Sequence, residues 1–173
     1  MARKKHKLKR NIHLILGLFL MFIFFVWRYH QARILSFNTK EVAKISASNI
    51  NPLHIKAYPV GVDIDIKPAV ITNGVWPVFP NTAGFVTNGN NTIIYGHNKN
   101  NILGPIRYIK IGAIIEILDS NSKITKYSVI KTDIVSPNNL EYIQDTEKKT
   151  LTLYTCTEFL DSKRFIVVAL PLE

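Results

Sequence analysis

Short apolar runs bounded by turn residues dominate the chain after about residue 50. Residues 62–66 alternate between apolar and acidic side chains, which is the period-2 pattern of a strand with one buried face. Turn residues cluster at 72–74 and 88–91. Similar runs predict strands at 53–58, 60–66, 92–95, 113–118, 124–135, 151–155 and 165–170. With one short helix over 102–109, about eight strands predict an all-β barrel or sandwich.

The N-terminus has a different pattern, because residues 12–27 are apolar apart from His13. The run extends to Tyr29 if Arg28 snorkels, and such a helix spans roughly 24–27 Å against a hydrocarbon core of ~30 Å. Snorkelling flanks and local thinning of the bilayer absorb that difference. We therefore predict a transmembrane anchor over 12–29.

Two other interpretations of this run remain open, a cleaved signal peptide and a buried core helix. A signal peptide needs a small-residue cleavage site, and residues 28–33 contain no A-x-A pattern. Six basic residues precede the run and two follow it, which places the N-terminus inside the cell. We expect a single-pass plasma-membrane protein whose catalytic domain is extracellular.

These boundaries divide the chain into four parts. Residues 1–11 form a basic cytoplasmic tail and residues 12–29 the anchor. Residues 30–50 are predicted to be a spacer, with a partly helical stretch over 39–47. Residues 51–173 are long enough to bury one core of ordinary size.

A net charge of +10 is typical of nucleic-acid-binding proteins, but here the basic residues are concentrated at the N-terminus. The first 33 residues hold eight of the 22 Lys and Arg and none of the 12 Asp and Glu, which leaves the rest at +2. A basic groove for phosphates is therefore not expected. With 47% hydrophobic and 20% charged residues the chain is not disordered. Its one Cys excludes an internal disulfide and a Cys-based zinc site.

Three chemically distinct side chains are predicted to lie at strand ends. Cys156 is the last residue of the run 151–156, and Arg164 opens the next strand. If these strands form a hairpin, the thiol and the guanidinium lie at the same rim of the sheet. The strand that ends at 95–96 delivers His97 to a rim as well.

These three groups together suit acyl transfer through a thioester. A thiol is mostly protonated at neutral pH, and a nearby imidazole can take its proton and later protonate a leaving amine. A fixed guanidinium stabilises the thiolate and an oxyanion. Simpler interpretations are a small buried Cys, an ordinary Gly-His turn and a solvated Arg.

The residue sequences of these motifs resemble those of one enzyme family. The stretch 152–156, Thr-Leu-Tyr-Thr-Cys, matches the T-L-x-T-C signature of the sortases. The stretch 95–98 resembles the sortase histidine motif, and Arg164 before an apolar strand resembles the sortase arginine. The segments 73–77 and 83–84 resemble the region that precedes that histidine. The resemblance covers about residues 51–171.

This resemblance implies a closed eight-stranded β-barrel with one or two short helices. It implies a cysteine transpeptidase that cleaves a C-terminal LPxTG-type sorting signal between Thr and Gly. The partners would be surface proteins that carry such a signal and an amine acceptor, a peptidoglycan precursor or a pilin. By resemblance, Cys156 is the nucleophile, His97 the general acid and base, and Arg164 the cation that binds substrate and oxyanion.

The resemblance also suggests substrate-binding positions at Thr155 and Ala83, and in the loop 136–149 at Leu140 and Ile143. These two loop residues either contact an apolar substrate side chain or pack the loop. The Cys-to-Arg loop, 157–163, is short, as in class C, D and E sortases rather than class A. No calcium-binding acidic pair and no N-terminal lid motif of the pilin-building type is recognisable, so we expect no metal and no cofactor. Two alternative functions are a hydrolytic cysteine peptidase of the same fold and a non-catalytic surface binding module.

Overall fold

The computed structural model describes residues 2–37 and 51–172, which fall into two compact units that divide between Arg33 and Ile34. The first unit is one helix, α1, over Ala2–Arg33. Its stretch Ile12–His30 is 19 residues long and apolar enough to cross a membrane, and the side chains along it are exposed. The helix is therefore compatible with the predicted single-pass anchor.

The second unit is a β-barrel of eight strands. Four 3₁₀ turns connect them, at Tyr58–Val60, Gly104–Tyr108, Glu141–Ile143 and Phe159–Asp161. The strands are β1 (Pro52–Ala57), β2 (Val62–Pro68), β3 (Ala83–Asn88), β4 (Asn91–Gly96), β5 (Ile114–Asp119), β6 (Ile124–Val135), β7 (Thr150–Thr157) and β8 (Lys163–Pro171).

The strands pair around the barrel in the order β1-β2-β3-β4-β7-β8-β6-β5, and β5 closes on β1. Two pairs are parallel, β2 with β3 and β4 with β7, and the others are antiparallel. A barrel has no free edge that another chain could extend. The predicted closed eight-stranded barrel is confirmed.

Three local predictions need correction. The strand expected from residue 60 begins at Val62, because Pro59 in the turn Tyr58–Val60 and Gly61 with φ of +72° interrupt it. The expected helix over 102–109 is the shorter 3₁₀ turn Gly104–Tyr108. The strand β3 was not predicted, because its residues are buried on both faces and show no alternation.

All eight strands contribute side chains to one apolar cluster, which therefore fills the barrel. Its members include Ile55, Phe85, Ile94, Ile115, Leu153 and Val167. The turn Gly104–Tyr108 adds Ile106 to this interior cluster. Burial of these side chains is the main source of the barrel's stability.

A second apolar cluster, here called the outer cluster, lies on the opposite face of β3, β4, β6, β7 and β8. Strand alternation requires this, since Leu153 of β7 points into the barrel and its neighbour Tyr154 points out. The members of the outer cluster are Leu35, Phe37, Trp76, Val86, Ile93, Tyr95, Val135, Tyr142, Ile143, Tyr154, Cys156 and Ile166.

The residues 34–37 belong to this outer cluster, although the sequence predicts a spacer over 30–50. Leu35 is 1% exposed and Phe37 is fully buried. The predicted helical stretch over 39–47 lies outside the described residues. The segment after α1 is thus packed on the barrel in the part that the structure describes.

Candidate active site

Cys156 and Arg164 are paired residues of the antiparallel strands β7 and β8. The 3₁₀ turn Phe159–Asp161 joins the two strands just beyond this pair. Three residues near it, Glu158, Leu160 and Asp161, have φ between 53° and 66°, the left-handed region. This tight return keeps the thiol-bearing and guanidinium-bearing residues side by side at one end of the sheet.

His97 lies at the same end of the sheet. The strands β4 and β7 run parallel, and their last pair is Gly96 with Thr155. His97 and Cys156 are the next residues of the two strands, so both follow the same rim. The main chain at His97 is fixed by its carbonyl, which accepts a hydrogen bond from the amide of Lys99 at 2.8 Å.

The imidazole of His97 is half-buried. Burial, together with the positive charge of Lys99, lowers the pKa of His97 below its usual value. The ring is therefore neutral at pH 7 and able to accept a proton. A neutral imidazole is the form that can take the proton of a cysteine nucleophile.

The thiol of Cys156 is 2% exposed, and it lies in the outer cluster rather than inside the barrel. Burial raises the pKa of Cys156 to about 12, although the charge of Arg164 opposes that shift. The Sγ atom donates a hydrogen bond to the carbonyl oxygen of Ile34 at 2.9 Å. In this state the thiol is protonated and shielded from solvent.

The guanidinium of Arg164 is 3% exposed and is held by main-chain oxygens. Its Nη1 donates to the carbonyls of Asp161 at 2.8 Å and Lys163 at 3.0 Å, and its Nη2 donates to Ser36 at 2.8 Å. Its Nε is buried without a hydrogen-bond partner. Three main-chain carbonyls therefore fix the planar guanidinium, and its buried Nε–H is left as an unsatisfied donor.

Four buried aromatic rings pack together in the outer cluster that also contains Cys156. Tyr95 and Tyr154, paired across β4 and β7, stack with ring centroids 5.4 Å apart. Trp76 packs edge-on against Tyr95 at 5.0 Å, and Phe37 packs edge-on against Tyr154 at 5.0 Å. Such edge-to-face and offset arrangements are favourable for aromatic pairs.

The loop 136–149 covers one side of the outer cluster and is fastened by asparagines of the β3–β4 hairpin. The side-chain amide of Asn91 donates to the carbonyls of Tyr142 at 3.0 Å and Gln144 at 2.9 Å. The amide of Asn88 donates to the carbonyl of Ile143 at 2.9 Å. The sequence analysis did not predict these roles, because it assigned Asn88 and Asn91 only to a turn.

The four residues expected to bind substrate are divided between the two faces of the barrel. Ile143 is a buried member of the outer cluster and Leu140 packs against it. Ala83 packs in the interior cluster. Thr155 is fully buried, and its hydroxyl donates to the carbonyl of Gly96 at 2.8 Å, which ties β7 to the residue before His97. Among the described residues, no three His, Cys, Asp or Glu side chains come together as metal ligands would.

Comparison with known proteins places this geometry in context. A family model described as "Sortase domain" matches residues 50–172. A curated relative, "Putative sortase YwpE" of Bacillus subtilis (strain 168), is 37% identical over 76 residues, which cover 42% of this chain and 74% of that protein.

Two solved structures resemble the chain in fold. Sortase A of Listeria monocytogenes has a TM-score of 0.58 at 22% identity and covers 71% of this chain and 88% of its own. Sortase C of Clostridium perfringens, solved with the C-terminal cell wall sorting motif, has a TM-score of 0.59 at 13% identity and covers 78% of each chain. The resemblance thus extends to both class A and class C sortases.

Proposed function

The chain belongs to the sortase family, and from that premise we propose that it is a membrane-anchored transpeptidase for LPxTG-like sorting signals. Sortases are cysteine transpeptidases, which sets aside the non-catalytic binding module. The proposed substrates are surface proteins with a C-terminal sorting signal. The proposed acceptor is an amine of a peptidoglycan precursor or a pilin. The anchor is assigned to 12–29 and the catalytic domain, outside the cell, to 51–173.

In the first proposed step, His97 takes the thiol proton of Cys156. The sulfur attacks the carbonyl carbon of the Thr residue in the sorting signal and forms a tetrahedral oxyanion. Arg164 stabilises that oxygen, and its unused Nε is a suitable donor. The C–N bond to Gly then breaks, the imidazolium protonates the leaving amine, and a thioester remains on Cys156.

In the second proposed step, the acceptor amine attacks the thioester carbonyl. His97 takes a proton from the amine and returns one to the sulfur as the C–S bond breaks. The products are a new amide and the free thiol, so the enzyme returns to its starting state. Water can attack the same thioester, and hydrolysis is the alternative outcome for this site.

One observation carries this proposal: Cys156 and Arg164 are paired across β7 and β8, with His97 following the neighbouring strand at the same end. The three residue types of the proposed mechanism thus share one rim. Buried aromatic side chains of the outer cluster pack next to this rim and hold its strands in place.

The test is to trap the acyl-enzyme. The full chain is incubated with a panel of peptides that contain Leu-Pro-x-Thr-Gly variants, and intact-mass spectrometry is used to look for an adduct on Cys156. We expect a mass increase equal to the peptide up to Thr, and its decay on addition of an amine. Cys156→Ala gives no adduct and keeps its fold, because only the sulfur forms the thioester.

Product analysis separates the two acyl acceptors. With an amine present, transfer gives a peptide–amine conjugate, and hydrolysis gives a free carboxylate. A folded protein that forms no adduct with any peptide of the panel would refute the proposed substrate class.

A further inference from the structure

The end of the barrel at which β4 and β7 finish, here called the Cys156 end, carries exposed apolar side chains on its turns. We propose that these turns form a docking surface for a membrane that contains anionic lipids. This docking goes beyond the proposed function and shares with it only the membrane anchor at 12–29. It places a second part of the chain in contact with the bilayer.

Strand directions bring three turns to the Cys156 end. β7 ends and β8 begins there, joined by the turn Phe159–Asp161. β4 runs parallel to β7, so its connection to β5, which contains the turn Gly104–Tyr108, leaves from this end. β3 is antiparallel to β4 and β2 is parallel to β3, so β2 begins here after the turn Tyr58–Val60. β1 is antiparallel to both β2 and β5, so β5 begins here as well.

The connections at this end hold large apolar side chains that face solvent. Five of them are between 66% and 83% exposed: Tyr58, Tyr108, Ile111, Phe159 and Leu160. At the opposite end, Leu53, Ile124 and Leu172 are less exposed, between 46% and 57%. Val70 is 77% exposed but lies further along the barrel, beyond the pair Pro68–Phe85. Exposed apolar side chains concentrated in one region mark an interaction surface.

The turn Phe159–Asp161 presents its two apolar side chains on an unfavourable backbone. Glu158 has φ of 66° and ψ of 175°, a combination that is essentially confined to glycine. Leu160 lies in the left-handed region, with φ of 53° and ψ of 32°. Within the barrel this conformation leaves both Phe159 and Leu160 exposed. A lipid interface would bury these side chains, which gives the outward conformation a physical reason.

The two tyrosines of the surface have the chemistry of a membrane–water interface. Their rings are amphipathic and of the kind that is enriched at headgroup level. Each ring also carries a cation: the Nζ of Lys56 lies 5.8 Å from the ring centroid of Tyr58, and the Cζ of Arg107 lies 5.6 Å from that of Tyr108. Aromatic rings beside basic side chains suit a surface that is apolar below and negatively charged above.

The charges of the two ends differ in the way that anionic lipids require. The connections 58–61, 97–112 and 157–163, at the Cys156 end, contain four Lys or Arg and two Asp or Glu, which gives a net charge of +2. The segments 119–123 and 144–149, at the opposite end, contain three of each and are neutral. Helix α1 is compatible with a single-pass anchor, and a tethered domain meets its own membrane at a high effective concentration. Charge and tethering together select an anionic bilayer as the partner.

Site-specific fluorescence in reconstituted membranes tests this surface in the full chain. In a Cys156→Ala background an introduced Cys is the single thiol, and Phe159→Cys or Ile111→Cys is labelled with the environment-sensitive fluorophore NBD. The vesicles contain phosphatidylcholine and phosphatidylglycerol, and some of the lipid carries a nitroxide quencher near the headgroup. We expect quenching about twofold or more stronger than at the matched controls Ile124→Cys and Leu172→Cys, because the first pair enters the lipid interface.

Charge reversal tests the contribution of anionic lipid. In the labelled Phe159→Cys protein, Lys110→Glu/Lys163→Glu is expected to reduce quenching about twofold, and vesicles of pure phosphatidylcholine should have the same effect. The matched control Lys123→Glu/Lys149→Glu changes two exposed lysines at the opposite end and should leave quenching unchanged. Quenching that is equal in both lipid compositions and in both charge variants would overturn the assignment to anionic lipid.

Two results would overturn the docking surface itself. The first is quenching of equal strength at the two ends of the barrel, whether strong or absent. The second is a shift of NBD emission at residues 111 and 159 that grows with protein density and is insensitive to the lipid nitroxide. That result would assign the surface to a second copy of the chain.

The design keeps this inference separate from the proposed function. The labelled proteins lack the thiol of Cys156, so a failure of sorting peptides to acylate the wild type leaves the quenching result valid. Alkaline carbonate extraction shows whether α1 anchors the chain. A retained chain with unquenched labels refutes the docking surface while the anchor stands. An extracted chain refutes the anchor, and quenching measured before extraction then tests the docking surface by itself.

Discussion

Thr152 of β7 donates its hydroxyl hydrogen bond to the side-chain oxygen of Asn91, the first residue of β4, at 2.9 Å. The amide of the same Asn91 holds the carbonyls of Tyr142 and Gln144 in the loop 136–149. The first Thr of the T-L-x-T-C stretch is thus connected through one buried asparagine to the loop that borders the outer cluster. The Thr152 hydroxyl and the two loop carbonyls keep these hydrogen bonds only while Asn91 is present.

Asn91→Ala tests this connection. The substitution leaves one buried hydroxyl and two carbonyls without their partner, and each such group costs about 1–3 kcal/mol. We expect the free energy of unfolding in urea to fall by about 2–4 kcal/mol, and KM for a sorting peptide to rise more than kcat falls. The control is Asn100→Ala, at an exposed position, with an expected change within about 0.5 kcal/mol. Equal stability of Asn91→Ala and wild type would contradict the role of the asparagine.

Arg164→Lys tests the proposed oxyanion contact. An ammonium cannot reproduce the planar fork that bonds to Ser36, Asp161 and Lys163, and one lost oxyanion donor typically lowers kcat by about 100- to 1000-fold. Steady-state kinetics with a sorting peptide measures the loss, and thermal melting shows whether the fold is kept. The control Arg107→Lys changes an arginine of the turn Gly104–Tyr108 and should retain activity. Near wild-type turnover of Arg164→Lys would mean that the guanidinium is structural only.

The pH dependence of alkylation reports the thiol's surroundings. Since burial raises the pKa of Cys156 to about 12, the thiolate fraction grows about tenfold per pH unit through the neutral and mildly alkaline range. We expect the logarithm of the wild-type rate to rise with unit slope from pH 7 to pH 10 without a plateau. A Leu35→Ala/Phe37→Ala variant removes two buried side chains of the outer cluster that contains Cys156, so its thiol is more exposed and its rate should level off at lower pH. A wild-type plateau below pH 9 would contradict the buried, neutral thiol.

A second pH effect concerns the β1–β2 pair. His54 lies between two carboxylates, with Nδ1 2.7 Å from Asp65 and Nε2 2.5 Å from Asp63. Burial acts to lower the pKa of His54, but the hydrogen bonds and charges of Asp65 and Asp63 outweigh it and raise the pKa. The stabilisation is therefore complete below the unfolded pKa of about 6.5 and is lost as pH rises through the higher folded value.

His54→Gln should consequently lower the Tm more at pH 5.5 than at pH 8. Differential scanning calorimetry of both proteins across this range measures the difference. The control Asp63→Asn removes one of the carboxylates and should weaken the pH dependence of that difference. A Tm difference that is the same at every pH would show that His54 contributes through packing alone.

Periodicity was sufficient for the strands that have one buried face. The predicted strand over 124–135 coincides with β6, and the alternation of Asp63 and Asp65 with buried neighbours holds in β2. The pattern did not predict β3. Both faces of this strand are buried, one in each apolar cluster, so its sequence does not alternate between apolar and polar residues. The strand order, with two parallel pairs, depends on long-range packing that no local pattern encodes.

The sequence was sufficient to predict that the three candidate site residues lie at neighbouring strand ends. Cys156 and Arg164 are paired as the hairpin interpretation requires, and His97 follows the adjacent strand at the same end. Their catalytic roles stay predictions. The 34–37 segment could not be anticipated, because its apolar residues come directly after a long apolar helix and show no period of their own. Only the three-dimensional position of its carbonyls connects it to the thiol.

The pairing of β7 with β8 makes the spacing between thiol and guanidinium a property of the whole hairpin. Seven consecutive ladder pairs hold the two strands in register. Because side chains alternate between the two faces of a sheet, a slip of one residue would place Lys163 or Phe165 opposite Cys156 and turn Arg164 to the other face. An insertion or deletion within either strand would therefore separate the two groups while leaving both residues chemically intact.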